Sequence, residues 1–138
     1  MHGTLHLIDT SVWIEVFLPR RSAVSPALIE RVEELMADNR AALTGVVRFE
    51  LLGGARGEAE FARLEAALEG LPGIPMDEES WSEAARLSFF LRRVGLTIPP
   101  PDLMIASVAL QADAPVLHRD RHFDAIAAHT SLRVESYV

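Results

Sequence analysis

Four acidic side chains, Asp9, Glu50, Asp102 and Asp120, stand where their type and surroundings suit them to chemistry. Asp9 ends the apolar run LHLI and is followed by two hydroxyl residues, Thr10 and Ser11. Asp102 follows the triple proline Pro99 to Pro101, and Asp120 follows the apolar stretch PVLH and one arginine. Each of these aspartates, taken singly, reads most economically as a helix N-cap worth about 1 kcal/mol. Capping does not explain Glu50, which lies inside VVRFELLGG with Val46, Val47, Gly53 and Gly54 on its own face; the pattern predicts a side turned toward a closely approaching element. Carboxylates gathered without a partner repel and raise one another's pKa. A hard divalent cation reverses the sign, because Mg²⁺ or Mn²⁺ seeks oxygen ligands and keeps water and substrate phosphate in its remaining positions. An acidic set without cysteine or histidine ligands favours Mg²⁺ over Zn²⁺. The chemistry that follows is cleavage of a phosphate ester by a metal-activated water.

The elements that must gather these acids can be read from periodicity. Leu5 to Ile8 predicts a short strand, and from Ser11 the spacing of Val12, Trp13, Val16 and Phe17 turns helical. Ser25 with Pro26 is an N-cap and first helical residue, opening a helix whose stripe is Leu28, Val32, Leu35 and Met36. Ala41 to Thr44 predicts a strand, GVVRFELLGGAR a glycine-closed helix, and Phe61, Leu64, Leu68 and Leu71 an amphipathic helix ending before a brief strand at Ile74 to Met76. Glu78 to Val94 predicts a helix with Trp81, Ala84, Ala85 and Ser88 on one side. The consecutive Phe89, Phe90 and Leu91 imply burial on two sides or a partner. After the prolines Asp102 opens a further helix. Pro115 to Leu117 is a strand, Phe123 to Ala128 a helix and Leu132 to Val134 a last strand. Strands alternating with helices predict an α/β fold, a mostly parallel sheet with helices on both faces, and strand carboxyl ends that share one edge. Asp9 and Asp120 then become neighbours.

Composition bounds the function. A chain of 138 residues that is 49% hydrophobic and 24% charged is expected to be one domain spanning 1–138. It has no cysteine, no apolar stretch long enough to span a membrane and no signal-peptide layout at MHGTLH, so a cytoplasmic, non-membrane protein is expected. A net charge of −7 argues against gripping nucleic acid by bulk electrostatics. All thirteen cations are arginine, however, some paired as Arg20 with Arg21, Arg92 with Arg93 and Arg119 with Arg121; a small basic rim of Arg48, Arg119 and Arg121 is expected to frame a groove around an acidic centre. The lack of lysine counts against a response-regulator receiver. Ser11 stands where a haloacid-dehalogenase-like phosphatase needs a second aspartate, and no glycine-rich nucleotide motif is present.

The ordered segments LIDTSVWIEVF, VVRFELLGGAR, PDLMIASVAL and VLHRDRHFDAIA together resemble a PIN-domain ribonuclease, and within that group the VapC toxins of toxin–antitoxin pairs. The resemblance covers nearly the whole chain and implies a PIN-like fold with about four to five strands. It implies that Asp9, Glu50, Asp102 and Asp120 form a Mg²⁺ (or Mn²⁺) site for endonucleolytic cleavage of RNA, with Thr10 and Ser11 as hydrogen-bonding support. It implies a homodimer and a cognate VapB-type antitoxin whose C-terminal segment blocks the site. Two positions depart from the family pattern. His118 stands where a threonine or serine is frequent, two residues before Asp120, and is read as a hydrogen-bonded partner near the site. His122 stands where a second acid is common, and Asp124 is a candidate to take over that acid's part. The reading from another class is a PIN module that binds RNA or protein without cutting; a repulsive acid cluster has no purpose there.

Overall fold

The computed structural model describes residues 3–18 and 25–138; the Arg20 and Arg21 pair lies outside them. In chain order the elements are β1 (His6–Ile8), α1 (Thr10–Phe17), α2 (Pro26–Ala37), β2 (Ala41–Ala42), α3 (Gly45–Gly53), α4 (Glu58–Glu69), α5 (Glu78–Arg93), α6 (Pro100–Ala112), β3 (Val116–His118), α7 (Arg121–His129) and β4 (Val134–Ser136). The strands form one sheet in the order β2-β1-β3-β4, and every pairing is parallel. The two central strands are buried at consecutive positions, Leu7 with Ile8 and Val116, Leu117 with His118. Successive strand side chains point to opposite faces, so both faces of the sheet are covered, as parallel sheets require.

Local chemistry sets the helix starts. Ser25 accepts from the Leu28 amide and Pro26 supplies the first turn of α2, which buries Leu28, Val32 and Leu35. Asp77 accepts from the Ser80 amide at 2.9 Å to start α5. At α6 the three prolines do more than break the chain: Pro99 is the N-cap, Pro100 and Pro101 fill the first turn where no amide is needed, and Asp102 sits in that turn. Its carboxylate faces the positive end of the helix dipole.

The structure differs from the periodicity in places. Ile74 to Met76 is not a strand; only a bridge from Leu43 to Gly73 forms, because Pro75 has no amide to continue the ladder. The last strand lies two residues later than expected, at Val134–Ser136. The buried stripe of α5 is Ser80, Ala84, Leu87 and Leu91, so of the expected face only Ala84 is buried, and Trp81 is exposed. This stripe meets α6 through hydroxyls as well as carbon: Ser80 donates to Gln111, and Ser107 donates to the Ser80 carbonyl at 3.0 Å. Phe89 and Phe90 stand outside the core at 64% and 45% exposure, and Arg93 lies over the Phe89 ring.

Candidate metal-binding active site

Because β1 and β3 are adjacent and parallel, the residues following them emerge side by side at the carboxyl edge of the sheet. Asp9 leaves β1 and caps α1, and Asp120 leaves β3 and caps α7, accepting from the His122 amide at 2.9 Å. The caps expected at Asp9 and Asp120 are real and turn both carboxylates toward the same edge, whereas Asp102 is not the expected cap, because Pro99 takes that place and Asp102 falls inside the first turn of α6.

Asp9 is 4% exposed, and a single oxygen, Oδ2, accepts from both the Ser11 amide (3.1 Å) and the Ser11 hydroxyl (2.6 Å). The same Ser11 oxygen accepts from the Arg119 amide at 3.0 Å. One serine thus joins the turn after β1 to the turn after β3. Thr10 acts on the other side, donating to Glu50 Oε1 at 2.7 Å and drawing the α3 carboxylate toward α1. The inward reading of Glu50 holds, but its glycine rationale does not. A Cβ at Gly53 would meet open space and one at Gly54 only the backbone of its own helix, so the approach is set by Thr10.

Asp102 reaches the cluster from α6. Burial, followed by the charges of Asp120 and then Asp9, pushes its carboxyl up to about 7, partly offset by the hydrogen bond from His122. Asp9 is raised too, chiefly by burial and to a smaller degree by Glu50, against the lowering effect of its Ser11 bonds. The electrostatic links run Glu50 to Asp9, Asp9 to Asp102, and Asp102 to Asp120, so the four acids form one connected set.

The residue underrated in the sequence is His122. Its Nδ1 lies 2.8 Å from Asp102 Oδ2 and 3.0 Å from Asp120 Oδ1, and ligand atoms of Asp102, Asp120 and His122 all fall within 4.8 Å of one another. The signal was present: a residue two places after the capping aspartate is returned by the first helical turn toward the cap. His118 behaves differently. It is fully buried, its Nδ1 accepts from the Asp120 amide at 3.0 Å, and its ring tilts against Phe123. Its Nε2 is 3.2 Å from Asp124 Oδ1, off the line a hydrogen bond needs, and burial holds the imidazole below its ordinary pKa. His118 therefore shapes the turn that carries Asp120. Asp124 is turned away from the acids toward His118 and the Ser136 hydroxyl, 2.9 Å away.

The expected basic rim is also rearranged. Arg119 donates to the buried Glu15 of α1 at 2.5 Å, whose other oxygen accepts the Ser25 amide at the start of α2. Arg119 is thus tied to the scaffold beneath the site. Arg48 leans toward Glu65, 4.0 Å away on α4, while Arg121 is exposed.

A family model described as a PIN domain matches residues 6–129. Ribonuclease VapC11 of Mycobacterium tuberculosis is 35% identical over 135 residues, covering 95% of this chain and 98% of the relative. Ribonuclease VapC18 of the same organism is 28% identical, covering 93% and 91% respectively. Among solved structures, VapBC2 from Rickettsia felis bound to a DNA fragment from their promoter superposes with a TM-score of 0.81 at 20% identity, covering 98% of this chain and all of that one. VapBC-5 from Mycobacterium tuberculosis gives 0.63 at 26% identity, covering 97% and 98%.

Proposed function

The chain belongs to the PIN-domain family, among the VapC ribonucleases, and on that premise we propose that it is a Mg²⁺- or Mn²⁺-dependent endoribonuclease, the toxin of a toxin–antitoxin pair. The observation that carries the metal dependence is the convergence of Asp102, Asp120 and His122 donor atoms within 4.8 Å at the end of a parallel sheet, beside a buried Asp9. A carboxylate pushed up to about 7 by burial and, after it, by the neighbouring charges of Asp120 and Asp9 marks a site that a dication stabilises and that is costly without one. The donors fit: carboxylate oxygens suit Mg²⁺ and Mn²⁺, and a single imidazole is compatible with Mn²⁺.

In this reading Asp9, Asp102 and Asp120 hold the cation. When bound, it supplies a water of lowered pKa and neutralises charge on the phosphate being cleaved. Ser11 keeps Asp9 in one rotamer. Glu50, fixed by Thr10, is the carboxylate that orients the attacking water and receives its proton. The helix dipole of α6 and the His122 imidazole limit the repulsion among the acids before substrate arrives. No helix of the described residues is long and apolar enough to cross a membrane. The partners of the reading are RNA, a second copy of the chain and a VapB-type antitoxin, in keeping with the VapBC complexes whose toxin fold the chain shares.

Incubating the purified protein with structured RNA and Mn²⁺, beside Asp9→Asn and an EDTA control, tests the proposal. Internal cleavage giving 5′-phosphate ends, lost in both controls, is expected. Equal cleavage by the variant refutes the assignment. RNA retained without product and indifferent to EDTA identifies a binding module instead.

A further inference from the structure

We infer that His122 is a direct nitrogen ligand of the metal site, which strengthens this site's preference for Mn²⁺ over Mg²⁺ beyond that of an all-carboxylate site. The inference rests on the metal-dependent reading above and goes beyond it by assigning the ligand that sets ion choice. Around an octahedral cation with bonds near 2.1 Å, neighbouring donor atoms are about 3.0 Å apart. His122 Nδ1 lies 2.8 Å from Asp102 Oδ2 and 3.0 Å from Asp120 Oδ1, spacings that already suit two edges of such a polyhedron. The imidazole needs no large movement to enter the shell, and its 43% side-chain exposure leaves it on the open side where an ion arrives.

His118, the other histidine beside the acids, is unsuited to that part. Its Nδ1 is occupied by the Asp120 amide, its Nε2 faces Asp124, and the ring is fully buried. Nitrogen coordination at this edge therefore falls to His122. Mn²⁺, a first-row transition ion, gains more from an imidazole nitrogen than the harder Mg²⁺ does, while carboxylate oxygen serves both. Replacing the imidazole by a carboxylate is thus expected to change the ratio of affinities more than either affinity alone.

The test needs no RNA. Wild-type protein is titrated with Mn²⁺ followed by electron paramagnetic resonance, and with Mg²⁺ in competition; the bound Mn²⁺ is then examined for ¹⁴N hyperfine coupling by electron spin echo modulation. Expected are ¹⁴N coupling in the wild type, its loss in His122→Asn and His122→Asp, and a fall of about tenfold in the Mn²⁺ over Mg²⁺ preference of His122→Asp. The coupling is read on unmodified protein, so the assignment stays falsifiable even if a variant folds poorly; His118→Gln retaining the coupling supports it further. Bound Mn²⁺ without ¹⁴N coupling overturns it. So does a rise of both affinities in His122→Asn, the behaviour of a histidine that merely neutralises the acids from outside the shell. These outcomes leave the ribonuclease reading standing. Conversely, ¹⁴N coupling in a protein that cuts no RNA removes the proposed function and keeps the ligand.

Discussion

Replacing Asp102 by asparagine is expected to stabilise the metal-free protein at pH 8. The carboxyl rises from 3.8 to about 7 on folding, so the folded chain holds its proton where the unfolded chain has lost it. At about 1.4 kcal/mol per pH unit, holding Asp102 ionised in the fold costs about 4 kcal/mol, or about 2–4 allowing for water on the open side of the site. This cost is absent below the unfolded pKa, grows as pH rises from about 4 to about 7, and is complete above that. Asparagine never ionises and can still accept from His122, but it gives up about 0.5 kcal/mol of charge at the first turn of α6. The net expectation is a gain of about 1.5–3.5 kcal/mol at pH 8, a Tm higher by about 5–10 °C for a domain of this size, and none near pH 4. Thermal melts in EDTA at both pH values measure it. Saturating Mg²⁺ should erase most of this advantage, since binding to the folded wild type at a hundredfold excess over Kd adds about 2.7 kcal/mol that the variant largely forgoes. Parallel stability curves for the two proteins from pH 4 to 8 without metal would refute the electrostatic account of the cluster.

Three further outcomes are expected. Ser11→Ala removes the 2.6 Å bond to Asp9 and the acceptor of the Arg119 amide, and should lower RNA cleavage about 10–100-fold, as metal-supporting hydrogen bonds usually do; single-turnover assays read it. Thr10→Val keeps the shape but frees Glu50, and should lower kcat with little change in Mn²⁺ affinity measured by titration. Glu15→Ala leaves Arg119 and the Ser25 amide without their carboxylate and should cost about 2–4 kcal/mol in urea unfolding, without removing any acid of the site.

Much of the site was legible because strand ends and helix caps leave strong local marks. An apolar run closed by aspartate placed Asp9 and Asp120, and parallel topology made them neighbours. Side-chain direction within helices was harder. The α5 stripe was misread by one position, because Ser80 packs as a hydrogen-bonded core residue whereas Trp81, apolar by type, lies at the surface. Glu50 was placed correctly for a reason that failed, since a hydroxyl forty positions away, rather than two glycines, draws it inward. His122 was seen only as the loss of an acid. Its return toward the Asp120 cap is implied by the two-residue spacing, but the second carboxylate beside its ring, Asp102, comes from α6, and no local spacing reveals that approach.

The order of strands in space also has a temporal side. β3, the inner strand beside β1, comes from Val116–His118, late in a chain whose first strand ends at Ile8. While the polypeptide is being made, β1 can pair with β2 but waits for β3 on its other side, and Asp120 and His122 do not yet exist. A nascent chain stopped before this segment carries Asp9, Glu50 and even Asp102 without the edge that unites them. Domains generally fold as units, so the sheet is finished only when its inner strand is available. For a chain of a ribonuclease family, that delay is a safeguard: the proposed centre closes only after the segment that carries Asp120 and His122 has been made.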